Sequence, residues 1–215
     1  MSPPSTFAAR GPGDVAELAR AHPLAWVVSA GRDGLLATPL PLLAHTDADG
    51  RLSALEGHFA LSNPQVAALS ADPQALLLWL GPQGYVSPSW LHDRTQAPSW
   101  NYASAQCQVR ISFNDDAAVL RAHLQALVAA HEAGRDQAWQ VDEMGERYAT
   151  LAARIVSFRA EPVRLQERFK LGQDERADVY ADILGGMSRS GADGGTALCE
   201  WMRRFNPGRP DRDTT

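Results

Sequence analysis

Residues 103–113 carry the sharpest pattern in the chain. Ala103, Ala105, Cys107, Val109, Ile111 and Phe113 fall on one face; Ser104, Gln106, Gln108, Arg110 and Ser112 fall on the other. A period of two marks a strand with one buried face, and the small residues at 103 and 105 suit the crowded interior of a closed barrel. A second alternation sets Val163, Leu165, Phe169 and Leu171 against Arg164, Gln166, Arg168 and Lys170. A compact apolar run over 75–80 predicts another strand. Residues 24–30 predict one more, which a Gly31-Arg32-Asp33-Gly34 turn joins to a run reaching Ala44. Pro39 and Pro41 interrupt that run, and each removes a ladder donor, so it is an edge, bulged or irregular strand. A turn over 46–50 leads to a strand over 51–60.

Helical signals lie between these runs. Residues 14–22 carry Val15, Leu18 and Ala19 as a stripe, with Asp14 as the cap and Pro23 as the stop. Asn63-Pro64 opens a short helix. Asn114-Asp115-Asp116 opens a longer one to His131, with Leu120, Leu124, Leu127, Val128 and His131 at helical spacing. Helices also follow over 146–154 and 174–187. Some six mainly antiparallel strands with peripheral helices give an α+β class domain over 1–187 built on a small antiparallel β-barrel. Residues 188–215 read as a linker, SRSGADGG, and a polar tail. Between these, residues 196–205 predict a short helix with Leu198, Trp201, Met202 and Phe205 on one side, to dock on the body or on a partner chain.

Composition narrows the function classes. The chain has 215 residues, 45% of them hydrophobic, and a net charge of −5, which argues against broad phosphate-backbone contacts. The opening residues lack an apolar run and no segment is apolar enough to span a bilayer, so the expectation is a cytoplasmic protein. Cys107 and Cys199 fit neither a metal spacing nor a disulfide framework, and Cys107 falls on an apolar strand face, as an inert core thiol does. The six histidines form no HxH or HExxH pattern, so no metal site is expected. GxSxG, Walker and GxGxxG patterns are absent.

The chemistry concentrates in residues 81–102, GPQGYVSPSWLHDRTQAPSWNY. Two Trp and two Tyr stand there among Ser, Asn, His and Arg. Such a set suits a flat heterocyclic ligand that needs an apolar slot and a few directed hydrogen bonds; it also suits a plain barrel corner. An isoalloxazine ring with a phosphate tail fits the first alternative. Trp90, Trp100 and Tyr102 would wall the slot; Ser87, Ser89 and Asn101 would bond the ring edge or ribityl chain. Lys170, His58 and Arg94 are the cationic candidates. The plain reading makes Lys170 a solvated strand-end residue and has His58 bond a neighbouring strand.

A set of motifs then gives a resemblance. Pro4-Ser5-Thr6-Phe7, His22-Pro23-Leu24-Ala25, Leu40-Pro41-Leu42, Gly57-His58 with Asn63-Pro64, Gly81-Pro82, Tyr85-Val86-Ser87-Pro88-Ser89-Trp90, Trp100-Asn101-Tyr102 and Lys170-Leu171 with Gln173 occur in order over about residues 4–187. The chain resembles the PaiB family of FMN-binding split-barrel proteins, often labelled negative transcriptional regulators. The resemblance implies a six-stranded antiparallel split barrel that forms a homodimer, with FMN held in clefts between subunits. It implies His58, Asn63, Ser87, Ser89, Trp90, Trp100, Asn101, Tyr102, Lys170 and Gln173 as cofactor-binding residues. Departures from the family pattern are Leu61 where Arg is usual, Gly172 where Ser is common, and Asp174-Glu175 in place of an Asn-Arg pair. They remove positive side chains and add acids, which weakens or abolishes the grip on a phosphate. No helix-turn-helix and no basic stripe speaks for direct DNA reading. A flavin-dependent oxidoreductase and a flavin-free dimeric interaction module stand as alternatives.

Overall fold

A computed structural model describes residues 6–191 and 194–209. The Pro4-Ser5 landmark, residues 192–193 of the glycine-rich stretch and residues 210–215 of the tail lie outside the described residues. The elements run α1 (Asp14–Ala21), β1 (Leu24–Gly31), β2 (Gly34–Pro41), β3 (Leu43–Thr46), β4 (Leu52–Ala60), α2 (Pro64–Ala71), β5 (Gln74–Val86), β6 (Ser99–Asn114), α3 (Ala117–Glu132), α4 (Arg147–Ala152), β7 (Ile155–Lys170), α5 (Ala177–Ser190) and α6 (Gly195–Phe205). Short 3-10 helices cover Pro88–Trp90 and Val141–Met144. Among the described residues no helix is long and apolar enough to cross a membrane.

The strands form one antiparallel sheet in the order β2-β1-β5-β6-β7-β4-β3. Its two outermost strands are consecutive in sequence, separated by Leu42 alone. One bent run of chain therefore closes the sheet on itself. This explains why seven strands are present where the sequence predicts six: the run reaching Ala44 breaks at Leu42. Pro39 and Pro41 lack donors and the Leu42 amide turns away to the Pro23 carbonyl at 2.9 Å. Leu42 is 2% exposed, and the approach at Gly57 is so close that an added Cβ would lie 2.7 Å from its Cδ2.

The barrel interior follows the period-two pattern. Ala103, Ala105, Cys107, Val109 and Ile111 are all buried. Phe59 and Phe158 meet at a ring-centroid distance of 5.2 Å, with Phe113 edge-on to both. The alternation in β7 does not hold throughout. A register shift opposite Gln108/Val109 changes the parity, so Val156, Phe158 and Ala160 face inward before it and Phe169 and Leu171 after it. Val163, read from the pattern as inward, sits at the bulge and is 71% exposed, whereas Leu165 keeps the inward phase opposite Cys107 while remaining 38% exposed.

Three terminal features differ from the sequence expectation. Asp14 does not cap α1, because Gly13 stands at the cap; its carboxylate accepts from the Arg10 and Gly11 amides at 2.7 and 2.9 Å and pairs with Arg204. His131 is exposed rather than part of the buried stripe of α3. Helix α5 continues to Ser190, into the stretch read as a linker. Helix α6 packs on the barrel end, where Trp201 and Phe205 stack on Phe169 at 5.9 and 4.8 Å.

Phe169 is fully buried in that stack. Phe169→Ala is expected to lower unfolding free energy by about 3–5 kcal/mol in a urea titration; a loss below about 1 kcal/mol would show that α6 contributes little to the fold.

Candidate functional site

The β5–β6 hairpin builds the site at the end of the barrel. Its ladder slips between Leu80 and Gln83, and past the slip Gln83 faces Tyr102, Gly84 faces Asn101 and Tyr85 faces Trp100. The slip falls at Gly81, where an added Cβ would sit 2.4 Å from Leu18 Cδ1 of α1; only glycine permits that approach. Tyr85 and Trp100 form an edge-to-face pair at 6.0 Å and 61°. They are 46% and 51% exposed, so these rings are not core. Together with Trp90, Gln83, Gly84 and Met187 they line a cleft of about 420 Å³, within the size range of small-molecule sites. The α5–α6 corner closes its far side through Ser190 and Gly195. Trp90 lies flat on α5, where Gly186 leaves room: a Cβ there would be 2.4 Å from the indole Cγ.

Polar groups gather beside the cleft. Ser87 caps the Pro88–Trp90 turn by accepting from the Ser89 amide, and the two hydroxyls share a 2.7 Å bond. Tyr102 stands directly opposite Lys170 in the β6–β7 ladder, and the Lys170 ammonium donates to Ser99 Oγ. Gln173 folds back, accepting from the Leu171 amide at 2.7 Å and donating to the Phe169 carbonyl at 2.5 Å. Asn101 turns inward: it is 1% exposed and donates to Met202 Sδ at 3.6 Å. Gly172 has φ +83°, where a serine would be strained, and an added Cβ would meet Tyr180 at 3.1 Å. The loop after Trp90 is anchored by His92, whose amide and Nδ1 both bond the buried Asp182 carboxylate, at 2.9 and 3.0 Å.

Eight of the ten residues named from sequence thus sit at the ends of β5, β6 and β7. Of the ten, Trp90 and Trp100 line the aromatic cleft itself, the other six of these eight stand beside it, and His58 and Asn63 lie apart. Asn63 caps α2 through the Gln65 amide at 2.9 Å and donates to Thr38 Oγ1 at 2.9 Å, within a network that also ties Gln65 to Val27 and Ser29. Leu61 lines a different cleft, with Leu120, Tyr148 and Val156. Arg94 is exposed on the loop after Trp90.

Sequence reading missed His123. It is buried under α3 and its Nε2 meets His58 Nδ1 at 3.1 Å, while its own Nδ1 has no partner. Burial first, then the neighbouring His58, pushes its pKa down to about 4; Glu56 opposes the shift and His45 adds to it. Burial also lowers His58 and raises the Cys107 thiol to about 11. Among the described residues no group of three or more His, Cys, Asp or Glu side chains converges on a metal position. Another signal was present but unread: Lys170 is the only lysine in a chain with 20 Lys and Arg residues.

Comparison with known proteins places these features. A profile described as "Putative FMN-binding domain" matches residues 1–163. The chain belongs to this FMN-binding family. Its cofactor class is a flavin, FMN by the family description. The protease synthase and sporulation protein PAI 2 of Bacillus subtilis is 27% identical over 159 residues, 74% of this chain and 75% of that protein. The flavocytochrome Anf3 of Azotobacter vinelandii has a TM-score of 0.58 at 16% identity, covering 74% of this chain and 66% of that one. The FAD and heme binding protein of Mycobacterium smegmatis has a TM-score of 0.55 at 20% identity, covering 80% and 76%. These two show a shared split-barrel fold. The donor set beside the cleft fits the family's group: flat aromatic rings, two paired hydroxyls and one ammonium are what a ring and a phosphate tail need.

The buried His123 has a pH signature. Its folded-state pKa lies below the unfolded value of 6.5, so the unfolded chain takes up a proton that the native chain refuses until about pH 4. Stability is therefore unaffected above pH 6.5 and falls between pH 6.5 and 4. Relative to His123→Leu, the wild-type chain is expected to lose roughly 3 kcal/mol across that window in urea titrations at stepped pH. Parallel pH profiles for the two chains would contradict the buried neutral imidazole.

Proposed function

We propose that the chain is a homodimeric FMN-binding split-barrel protein with a regulatory role in the cytoplasm, binding the flavin at the aromatic cleft of each protomer. The observation that carries this reading is the position of the cleft. Two part-exposed aromatic rings and the Lys170 ammonium stand at the end of a sheet whose outer face is itself apolar and open. On β1, β2 and β5 that face carries Leu24, Trp26, Leu35 and Leu80, which are 63%, 51%, 80% and 55% exposed. Trp26 lies beside Pro39 on one strand and Leu78 on the other. Contiguous apolar surface of this kind on a small soluble fold marks an association surface, and its continuity with Tyr85 and Trp100 supports a ligand site beside the joint between two copies.

Within that site each residue has a task. Trp100, Tyr85 and Trp90 exclude water and hold a flat ring. Tyr102, Ser87 and Ser89 supply directed hydrogen bonds to polar edges. Lys170 neutralises the phosphate tail, and Gln173 fixes the turn that follows it. A bound flavin supplies electron- and hydride-accepting chemistry. The oxidoreductase alternative would draw its acid or base from Tyr102 beside the cleft or from His92, whose Nδ1 is held by Asp182; His58 stands apart, bonded to His123. The regulatory role draws support from the name of the Bacillus relative, a sporulation protein. The formal charge of −5 speaks for a role exerted without broad contact to nucleic acid.

Titration of FMN with purified protein is expected to quench flavin fluorescence, and Trp100→Ala to weaken binding about tenfold, or ~1.4 kcal/mol. Absence of any flavin response at about 100 μM would remove the reading. Sedimentation velocity is expected to give a dimer that Trp26→Glu converts to monomer, because the charge would be buried unpaired at the joint; a wild-type monomer at all concentrations would contradict the dimer.

A further inference from the structure

The end of the chain is tied to the turn that follows Lys170. Beyond α6, Asn206 is buried and its Nδ2 donates to the carbonyls of Leu171 at 2.9 Å and Met202 at 2.8 Å. Arg209 then reaches the same turn. Its Nη1 donates to the carbonyls of Gly172 at 3.1 Å and Glu175 at 2.6 Å, and its Nη2 to that of Gln173 at 2.8 Å. The guanidinium also lies over the Tyr180 ring, 5.3 Å from its centroid. A guanidinium is a rigid planar fork, so three carbonyls bound to it keep one mutual arrangement. On the other side Gln173 bonds back to residues 169 and 171. The turn is held from both ends.

That turn decides which charges meet. Lys170 closes β7 with its ammonium on Ser99, and Asp174 and Glu175 follow within five residues. The Glu175 carboxyl is raised by burial and by Asp174 and lowered by the charges of Lys170, Arg209 and Arg176, while the ammonium itself bonds Ser99. Were the turn free, Glu175 would be a local competitor for the one ammonium in the chain. Nineteen of the 20 Lys and Arg side chains are arginine. The exception stands where a compact point charge with rotatable donors suits an anion approached from the side, in place of a planar fork.

We infer that Arg209 is a positioning residue for Lys170: by fixing the 172–175 turn it holds Glu175 away from the ammonium and leaves Lys170 to meet the anionic end of the ligand in the aromatic cleft. The inference rests on the proposed flavin reading, with the phosphate of FMN as that anion. It makes the C-terminal segment a determinant of ligand preference.

The test compares FMN with riboflavin, which lacks the phosphate, on the full chain. Arg209→Ala is expected to weaken FMN about tenfold and riboflavin less than about twofold. Adding Glu175→Gln to that variant is expected to bring FMN affinity back to within about threefold of wild type, because the competing carboxylate is gone. Arg209→Lys, which keeps the charge but not the fork, is expected to behave like Arg209→Ala, and thermal unfolding checks that each variant is folded. Reductive 13C-methylation labels one side chain only, so the Lys170 methyl resonance is expected to move in the ligand-free Arg209→Ala protein and to respond less to FMN. Equal losses for the two flavins, unchanged FMN binding, a still Lys170 resonance or a Glu175→Gln change that restores nothing would each overturn the inference and leave the flavin reading standing. A wild-type chain that binds neither flavin would overturn that reading, and the inference with it.

Discussion

A single residue, Leu42, joins the two ends of a seven-stranded sheet. Because β2 and β3 are the outermost strands and are consecutive in the chain, the sheet has no choice but to curl until they meet. Curling brings the outermost strands together at one corner, and the closed interior takes small side chains on the inner face of β6. It also ranks the strands. Of those nearest the bend, β3 has four residues and β2 is interrupted by Pro39 and Pro41. Those farthest from it, β5, β6 and β7, are long, reaching 13 residues in β5 and 16 in each of the other two. Only these strands run past the end of the barrel, and their overhang is where the chemistry collects.

An overhang is a poor place to bury rings and a good place to expose them. Trp100 and Tyr102 stand on the outer face of β6 by the same period-two rule, with Tyr85 paired beside Trp100, while Asn101 and Val86 at that level face inward and are buried. The slip at Gly81 turns the hairpin outward at that level. The aromatic cleft therefore follows from closure and a bulge acting together: the first limits how far the core extends, and the second re-aims the strand beyond it. The acids Asp174 and Glu175 sit at the same end, on the turn that follows Lys170. The turn that carries them is held by charge-assisted contacts from the Arg209 guanidinium to its backbone carbonyls.

Much of this was legible in the sequence. The alternation in β6 fixed one strand's faces residue by residue, Asn63-Pro64 and Asp116 marked helix starts that the backbone bears out, and Pro39 and Pro41 signalled an edge. The motifs in residues 81–102 located the aromatic cleft. The rest escaped for physical reasons. A strand that bends at Leu42 looks continuous in a pattern that reports only alternation. The bulge in β7 costs one residue and reverses parity, so Val163 was assigned inward. Asp14 resembles a cap, but its carboxylate is claimed by Arg204, 190 residues away, and no local rule sees such a partner. The His58–His123 contact is equally non-local. Glycines after Met187 suggested a linker, whereas α5 runs on to Ser190 and α6 opens at Gly195 with Gly194 as its cap.

The stretch that matches the family profile stops at residue 163, yet the barrel does not close its end there. Phe169 and Leu171 lie beyond it, both fully buried, and their cover is Trp201, Met202 and Phe205 of α6. Remove α6 and a large apolar area of the barrel mouth would meet water at a cost of roughly 25 cal/mol per Å². The same helix packs Leu198 and, with α5, Met187 against Gly84, where a Cβ would come within 2.9 and 3.1 Å of them, so it shapes the floor of the cleft as well as the end of the core. Arg204 fixes its orientation by pairing with Asp14 and Glu17 on α1. The physical unit is therefore longer than the unit of resemblance, and the residues that complete it are those that set the walls of the site. The rings Tyr85, Trp90 and Trp100 lie inside the stretch of resemblance, whereas Met187, Ser190 and Gly195, which close the same cleft, lie beyond it.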